Sequence, residues 1–195
     1  MLITTDAIVL SIQPHSDKAY ILHAYTRAYG RVNFMVYGLG RKHPIGLYSP
    51  FSLIQITAEE PTSSRPPTLK EATSMTISCD EAAKQCIALF LSEVLYLTLR
   101  HPMADEPLFD FIARACNALW SEQDSVANFH LIFLIGFAAQ LGFAINEEEQ
   151  PQLVRLPHSR SERQEQLRML CAYFNEHVDS WTEPRSLDIL MEVFD

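Results

Sequence analysis

The chain is 195 residues long, with 48% hydrophobic and 20% charged residues and a formal net charge of −9. That is enough apolar material for a packed core, which excludes wholesale disorder, and the acidic balance excludes a surface that is cationic throughout. The charge is uneven: residues 1–72 carry seven Lys and Arg against five Asp and Glu, while the remainder carries eight against nineteen, so two surfaces with different partners are expected.

No basic region followed by a long apolar run opens the chain, and no signal peptide is expected. The apolar stretches 87–99 and 129–143 are broken by Ser92, Glu93, Gly136 and Gln140 and are too short for a membrane span. Cys79, Cys86, Cys116 and Cys171 form no CxxC pair, which reads as free thiols in a reducing cytoplasm.

Residues 7–12 are an apolar, β-branched run, and a second strand covers 20–25. Residues 31–37 alternate, with Val32, Phe34 and Val36 on one face and Asn33, Met35 and Tyr37 on the other. Residues 51–57 alternate in part, and 69–77 forms a fifth strand. Gly30, Gly38, Gly40, Pro44, Gly46 and Pro50 punctuate these runs, with a Pro- and Ser-rich loop at 61–67. Five short strands so divided predict a small β-barrel, with Tyr29-Gly30 as a tight turn.

From residue 78 the period becomes helical. Ser78 and Glu81 form a capping box for a helix to about 99, ended by His101-Pro102. Asp105 caps a second helix, with Pro107 in its first turn, to about 120. A third, from about 125 to 141, is apolar around nearly its whole circumference and so is the centre of the helical half. Gly142 with Phe143 behind it stops this helix. Residues 146–157 read as an acidic, proline-bearing linker. Ser161 with Gln164 starts a fourth helix to about 178, and Ser186 caps a short last one over 187–194. The expected fold class is α+β: a barrel over 1–77, then an all-α domain over 78–195.

No P-loop, GxSxG, HExxH, GxGxxG or Cys/His metal framework is present. The seven histidines are dispersed, and Glu147–Glu149 is a consecutive, solvated run. No catalytic residue, metal, cofactor or small-molecule substrate is expected.

Binding chemistry is better represented. Tyr25, Arg27, Tyr29, Arg31, Phe34 and Tyr37 interleave cations with aromatics, and Arg41 and Lys42 follow in a glycine-flanked loop. Single-strand binders combine a cationic groove with aromatic platforms. Phosphates would lie on Lys18, Arg27, Arg31, Arg41, Lys42, Arg65 and Lys70. Tyr25, Tyr29 and Tyr37 suit either base stacking or the core, whereas Phe34 shares the face of Val32 and Val36 and belongs to the core. An exposed remnant of the third helix would accept an apolar peptide.

The order of motifs resembles a known family. Met1-Leu-Ile-Thr-Thr-Asp-Ala-Ile-Val-Leu10, then Thr26 and Gly30, Val36-Tyr-Gly-Leu-Gly-Arg-Lys42 and Ser49-Pro-Phe-Ser-Leu53 are similar to the bacterial RecO family, in its Bacteroides-like forms. In the helical half Leu91-Ser-Glu-Val-Leu95, Glu106-Pro-Leu-Phe-Asp-Phe111, Asn128-Phe-His-Leu131, Leu141-Gly-Phe143 and Arg185-Ser-Leu-Asp-Ile-Leu190 continue the resemblance. It implies an OB-fold that binds single- and double-stranded DNA, followed by a helical domain. It also implies a cytoplasmic, nucleoid-associated recombination mediator that makes and breaks no covalent bond. The implied partners are RecR, possibly RecF, and the acidic, apolar C-terminal tail of the single-stranded DNA-binding protein SSB; the implied activities are RecA loading and strand annealing.

The chain departs from the family pattern in three ways. It lacks the four-cysteine zinc module that many members carry, and it is short after Phe143. Tyr37 stands where the basic loop usually has a lysine. Ile132 stands where the third helix has an arginine, so Arg100, Arg114 or Arg168 must supply the basic spot for an acidic tail. The competing expectation is a protein-interaction module of the same fold that has lost DNA binding.

Overall fold

The computed structural model describes every residue except 63, 77–79, 123–124 and 194–195. Five strands come first: β1 Leu2–Ser16, β2 Ala19–Thr26, β3 Gly30–Tyr37, β4 Leu53–Glu59 and β5 Leu69–Ser74. They form one sheet in the order β3-β2-β1-β4-β5, each neighbour antiparallel. The two edges then meet. The Met35 N–H donates to the Pro67 carbonyl at 2.8 Å, and Met35 pairs with Thr68 in parallel. This closure removes the free edges and gives the expected OB-type barrel.

Period-two alternation fills it. Val32, Phe34 and Val36 of β3 point inward with Leu22 and Ala24 of β2, Ala7 and Val9 of β1, Ile54, Ile56 and Ala58 of β4, and Leu69. β1 is longer than the apolar run 7–12 because it pairs with both β2 and β4 along its length. It bends at a bulge: Val9 faces Ala24 and Ser11 faces His23, so Leu10 has no partner. Leu10 accordingly joins the core of the helical half instead of the barrel's.

Six helices follow: α1 Ala82–Thr98, α2 Glu106–Ser121, α3 Phe129–Gln140, α4 Pro151–Val154, α5 Arg160–His177 and α6 Leu187–Val193. Asp105 caps α2 as expected, its carboxylate accepting from the Leu108 N–H at 3.0 Å. Gly142, with φ of 89°, ends the α3 region, and the Phe143 N–H returns to the Ala138 carbonyl at 3.1 Å.

Several boundaries differ from expectation. α1 begins at Ala82, with Glu81 as N-cap and not at the third position; the expected cap Ser78 lies outside the described residues, as does Cys79. α3 starts at Phe129, after a turn in which the Phe129 N–H reaches Val126 O. The expected linker holds α4, opened by Pro151. α5 is capped by Ser159 and Glu162, not Ser161 and Gln164: the Glu162 carboxylate takes the His158 and Ser159 N–H groups at 2.8 and 3.3 Å. A charged acceptor is stronger there than the glutamine amide. Ser186 donates its hydroxyl to Glu93, whose carboxylate also takes the backbone N–H groups of Arg185 and Ser186 just before α6.

The two halves share a core. Ile8, Leu10, Tyr25, Phe51 and Leu53 of the barrel lie in one apolar cluster with α1, α2, α3 and α5. Phe51 adopts φ of 55°, sets its ring edge-on to Phe133 at 5.4 Å, and accepts the Trp120 indole N–H at 3.0 Å.

Candidate nucleic-acid interface

The structure divides the expected DNA-binding residues between two ends of the barrel. Opposed residues of β2 and β3 share a face, so Tyr25 and Arg31, His23 and Asn33, Ile21 and Met35, and Ala19 and Tyr37 form an outward row. One end of that row is covered by helices. Tyr25 is 2% exposed and lies stacked on Phe109, 6.1 Å between centroids. Burial, with Asp105 nearby, pushes its phenol up to about 12. It is a core residue and not a base platform. It faces away from the barrel interior, but Phe109 of α2 packs against it there.

Two arginines are withdrawn in the same way. Arg27 pairs with Asp110 at 2.7 Å, Glu106 at 3.2 Å and Asp6 at 3.8 Å, its guanidinium 4.6 Å from the Phe109 ring centre. Arg31 donates to the carbonyls of Tyr96 at 2.7 Å and Leu99 at 3.2 Å, and lies 3.9 Å over the Tyr96 ring. Those carbonyls belong to the last turn of α1, where orphan acceptors need a donor and a cation is favoured. His23 completes this region, bonded to Asn33 at 2.7 Å and edge-on to Tyr96. Burial lowers its basicity despite the Asn33 bond, and Arg31 adds to the lowering. Both arginines thus join barrel to helices, with their donors already engaged there.

The other end is open. Tyr37 is 50% exposed and pairs with Ala19, next to Lys18 in the β1–β2 turn. The loop after β3 carries Arg41 and Lys42, whose N–H groups both return to the Gly38 carbonyl at 3.1 and 2.9 Å. Gly38 has φ of 77° and Gly40 φ of 82°, which only glycine adopts freely. His43 anchors the loop: it is buried, with its ring bonded to the Tyr48 hydroxyl at 2.9 Å. Lys18, Arg41 and Lys42 are exposed, and among the described residues none forms an ion pair. Tyr29 is half-buried against the barrel core, which leaves Tyr37 the most exposed of the three tyrosine rings. The parallel Met35–Thr68 bridge brings the start of β5 alongside the end of β3, just before Tyr37. Lys70 and Arg65 are both paired to Glu59, at 3.1 and 3.0 Å; sequence reading overlooked that partner, although its charge was the available signal.

Of the three arginines expected to receive a partner, one lines an apolar groove. Arg114, Phe111, Ala115 and Ala118 of α2 face Phe129, Ile132 and Phe133 of α3 across a cleft of about 260 Å³. Ile132 is 54% exposed, an unusual position for a large aliphatic side chain and the exposed remnant of α3 that was expected. Arg100 instead donates to the Leu97 and Ser180 carbonyls, both within 2.8 Å. Arg168 is exposed on α5 and does not line this cleft.

Comparison with known proteins places the chain. Residues 1–76 match the family described as Recombination protein O N terminal, and residues 80–151 that described as Recombination protein O C terminal. The chain belongs to the RecO family. Proteins called DNA repair protein RecO are similar to it. The one from Porphyromonas gingivalis is 35% identical over 150 residues, 73% of this chain and 61% of the relative, so that match spans about three fifths of the relative's length. Those from Phocaeicola vulgatus and Flavobacterium johnsoniae are 30% and 29% identical over the whole of both chains. Among the described residues no three His, Cys, Asp or Glu gather where they could hold a metal ion. No helix among them is long and apolar enough to cross a membrane.

Proposed function

We propose that this RecO-family chain acts in DNA repair as a recombination mediator, a binding protein and not an enzyme, which holds DNA at the open end of its barrel. The observation that carries this is the placement of Lys18, Arg41 and Lys42, exposed and without an ion pair among the described residues, on the turn before β2 and the loop after β3, next in sequence and pairing to the half-exposed Tyr37. Cations neutralise phosphates without reading sequence, and an aromatic face stacks any base. Single strands suit this arrangement directly, and duplex phosphates suit its cations. The test is fluorescence anisotropy of a labelled single-stranded oligonucleotide at low and near-physiological salt. Binding should weaken as salt rises, and Arg41→Glu with Lys42→Glu should reduce the affinity and flatten the logarithmic salt slope by about 1.4, about 0.7 per lost phosphate contact. A folded protein that binds no oligonucleotide at low salt would sink this reading in favour of a protein-interaction module.

The groove between α2 and α3 supports a second contact in the same role. A single guanidinium beside an apolar cleft fits a peptide that ends in an apolar side chain and a carboxylate, the chemistry of the acidic SSB tail. Arg114→Glu should abolish capture of such a peptide while leaving oligonucleotide binding unchanged; retained capture would remove the groove from the account. Contact with RecR, possibly RecF, loading of RecA and strand annealing complete the proposed role, in the cytoplasm at the nucleoid.

A further inference from the structure

One side chain at the open end stands where a phosphate would be expected. The β4–β5 pairing shifts register between Thr57 and Ala58, so that Thr57 faces Glu71, Ala58 faces Leu69, and Lys70 is the extra residue. Such a bulge re-aims a side chain, and the Lys70 ammonium meets the Glu59 carboxylate at 3.1 Å. The second oxygen of Glu59 takes Arg65 at 3.0 Å and the Thr68 backbone N–H at 3.3 Å. Two cations and a backbone N–H directed at one oxyanion are a phosphate-binding donor set. Thr62 and Ser64 also line the adjoining cleft of about 540 Å³. Lys70, with Thr68 N–H and Arg65, holds the Glu59 carboxyl at about 2, so it is an anion throughout the physiological range. Side-chain exposures of 67% for Arg65 and 43% for Lys70 leave both cations within reach of solvent anions, and exposed pairs of this kind exchange partners readily.

We propose that Arg65, Lys70 and the Thr68 N–H form a phosphate site which the chain's own Glu59 occupies, and that Glu59 must swing aside before this site can hold a phosphate. The inference rests on the reading of the open end as the DNA face for its natural ligand, a backbone phosphodiester; a free phosphate compound has the same chemistry. Glu59 then sets the affinity of the barrel for DNA without touching it, and the two cations add to Lys18, Arg41 and Lys42 only once it is displaced.

The experiment is a cycle in the 195-residue chain. Oligonucleotide anisotropy is measured for the wild type, Glu59→Gln, Arg65→Gln with Lys70→Gln, and the triple variant, with pyrophosphate titrated into each by calorimetry. Glu59→Gln should bind the oligonucleotide about tenfold more tightly at low salt, with a salt slope steeper by about 1.4 for two recovered contacts. Loss of the two cations should cost little in the wild-type background and about tenfold in the Glu59→Gln background. Equal costs in the two backgrounds, or an unchanged affinity and slope for Glu59→Gln, would overturn the proposal. If the wild type and Glu59→Gln both ignore DNA while Glu59→Gln takes up pyrophosphate and the triple variant does not, the site stands with a free phosphate compound as its ligand and the DNA reading fails alone. Uptake of neither by Glu59→Gln overturns the site. Should glutamine at this position prevent folding, Glu59→Asp, which shortens the reach and keeps the charge, must move affinity in the same direction by a smaller factor.

Discussion

Where the barrel meets α1 and α2, Arg27 and Arg31 are bound by three carboxylates and two backbone carbonyls, and Tyr25 is sealed beneath Phe109. At the far end Lys18, Arg41 and Lys42 make no ion pair among the described residues, and Tyr37 stands half in solvent. The residue types are alike and the sequence neighbours are close, yet one group cements two halves of the molecule and the other is available to a ligand. The difference is set by what lies outside the β2–β3 face. An arginine near carbonyls at a helix terminus satisfies acceptors that would otherwise be orphaned; an arginine on a glycine-framed loop has only water to lose.

Substitutions can break this division, beginning with the largest effect. Tyr25→Ala should lower unfolding stability by about 3–5 kcal/mol, the usual cost of truncating a large buried aromatic, read from the urea midpoint. Oligonucleotide affinity per folded molecule should stay the same; a selective loss of affinity would return Tyr25 to the DNA face. Arg31→Ala should cost about 2–3 kcal/mol of stability, because a charged donor leaves two α1 carbonyls and an aromatic face together. An unaltered urea transition would show that the seam is not held there. At the open end Tyr37→Ala should leave stability within about 0.5 kcal/mol of the wild type and weaken oligonucleotide binding by about 1–3 kcal/mol, the worth of one base stack. Tyr37→Phe should restore the binding, since the ring face and not the hydroxyl does the stacking.

Much of the fold was legible along the chain. Alternation at Val32, Phe34 and Val36 marked the inner wall of the barrel, Asp105 and Gly142 marked helix ends, and the motif order indicated the family. The outer wall was harder to read. Alternation along 31–37 sets Tyr37 on the face opposite the inward Val32, Phe34 and Val36, while Tyr25 suits either base stacking or the core; neither reading says that Tyr96 and Phe109, more than sixty residues later, cover Arg31 and Tyr25. The clue lay in composition at a distance: Glu106 and Asp110 offer carboxylates one helical turn apart, and Arg27 answers both. Arg114 is one of three arginines named for a basic spot, and what sets it apart from Arg100 and Arg168 is a cleft that needs the packing angle of α2 against α3. Arg65 and Lys70 counted as free cations because their shared partner Glu59 meets them only where the β4–β5 loop and the register shift beside Ala58 bring the chain back on itself.

The shared apolar cluster has a consequence for how the molecule comes apart. Ile8, Leu10, Tyr25, Phe51 and Leu53 are strand or strand-flanking residues by sequence, yet they complete the core that the helices build. A barrel separated from those helices would expose all five, at roughly 1.5–3 kcal/mol for each large side chain. Exposing that surface disfavours a state in which the helices unfold and the barrel stays intact. The halves are successive along the chain but share one core, so loss of the helices would cost the barrel part of its own stability.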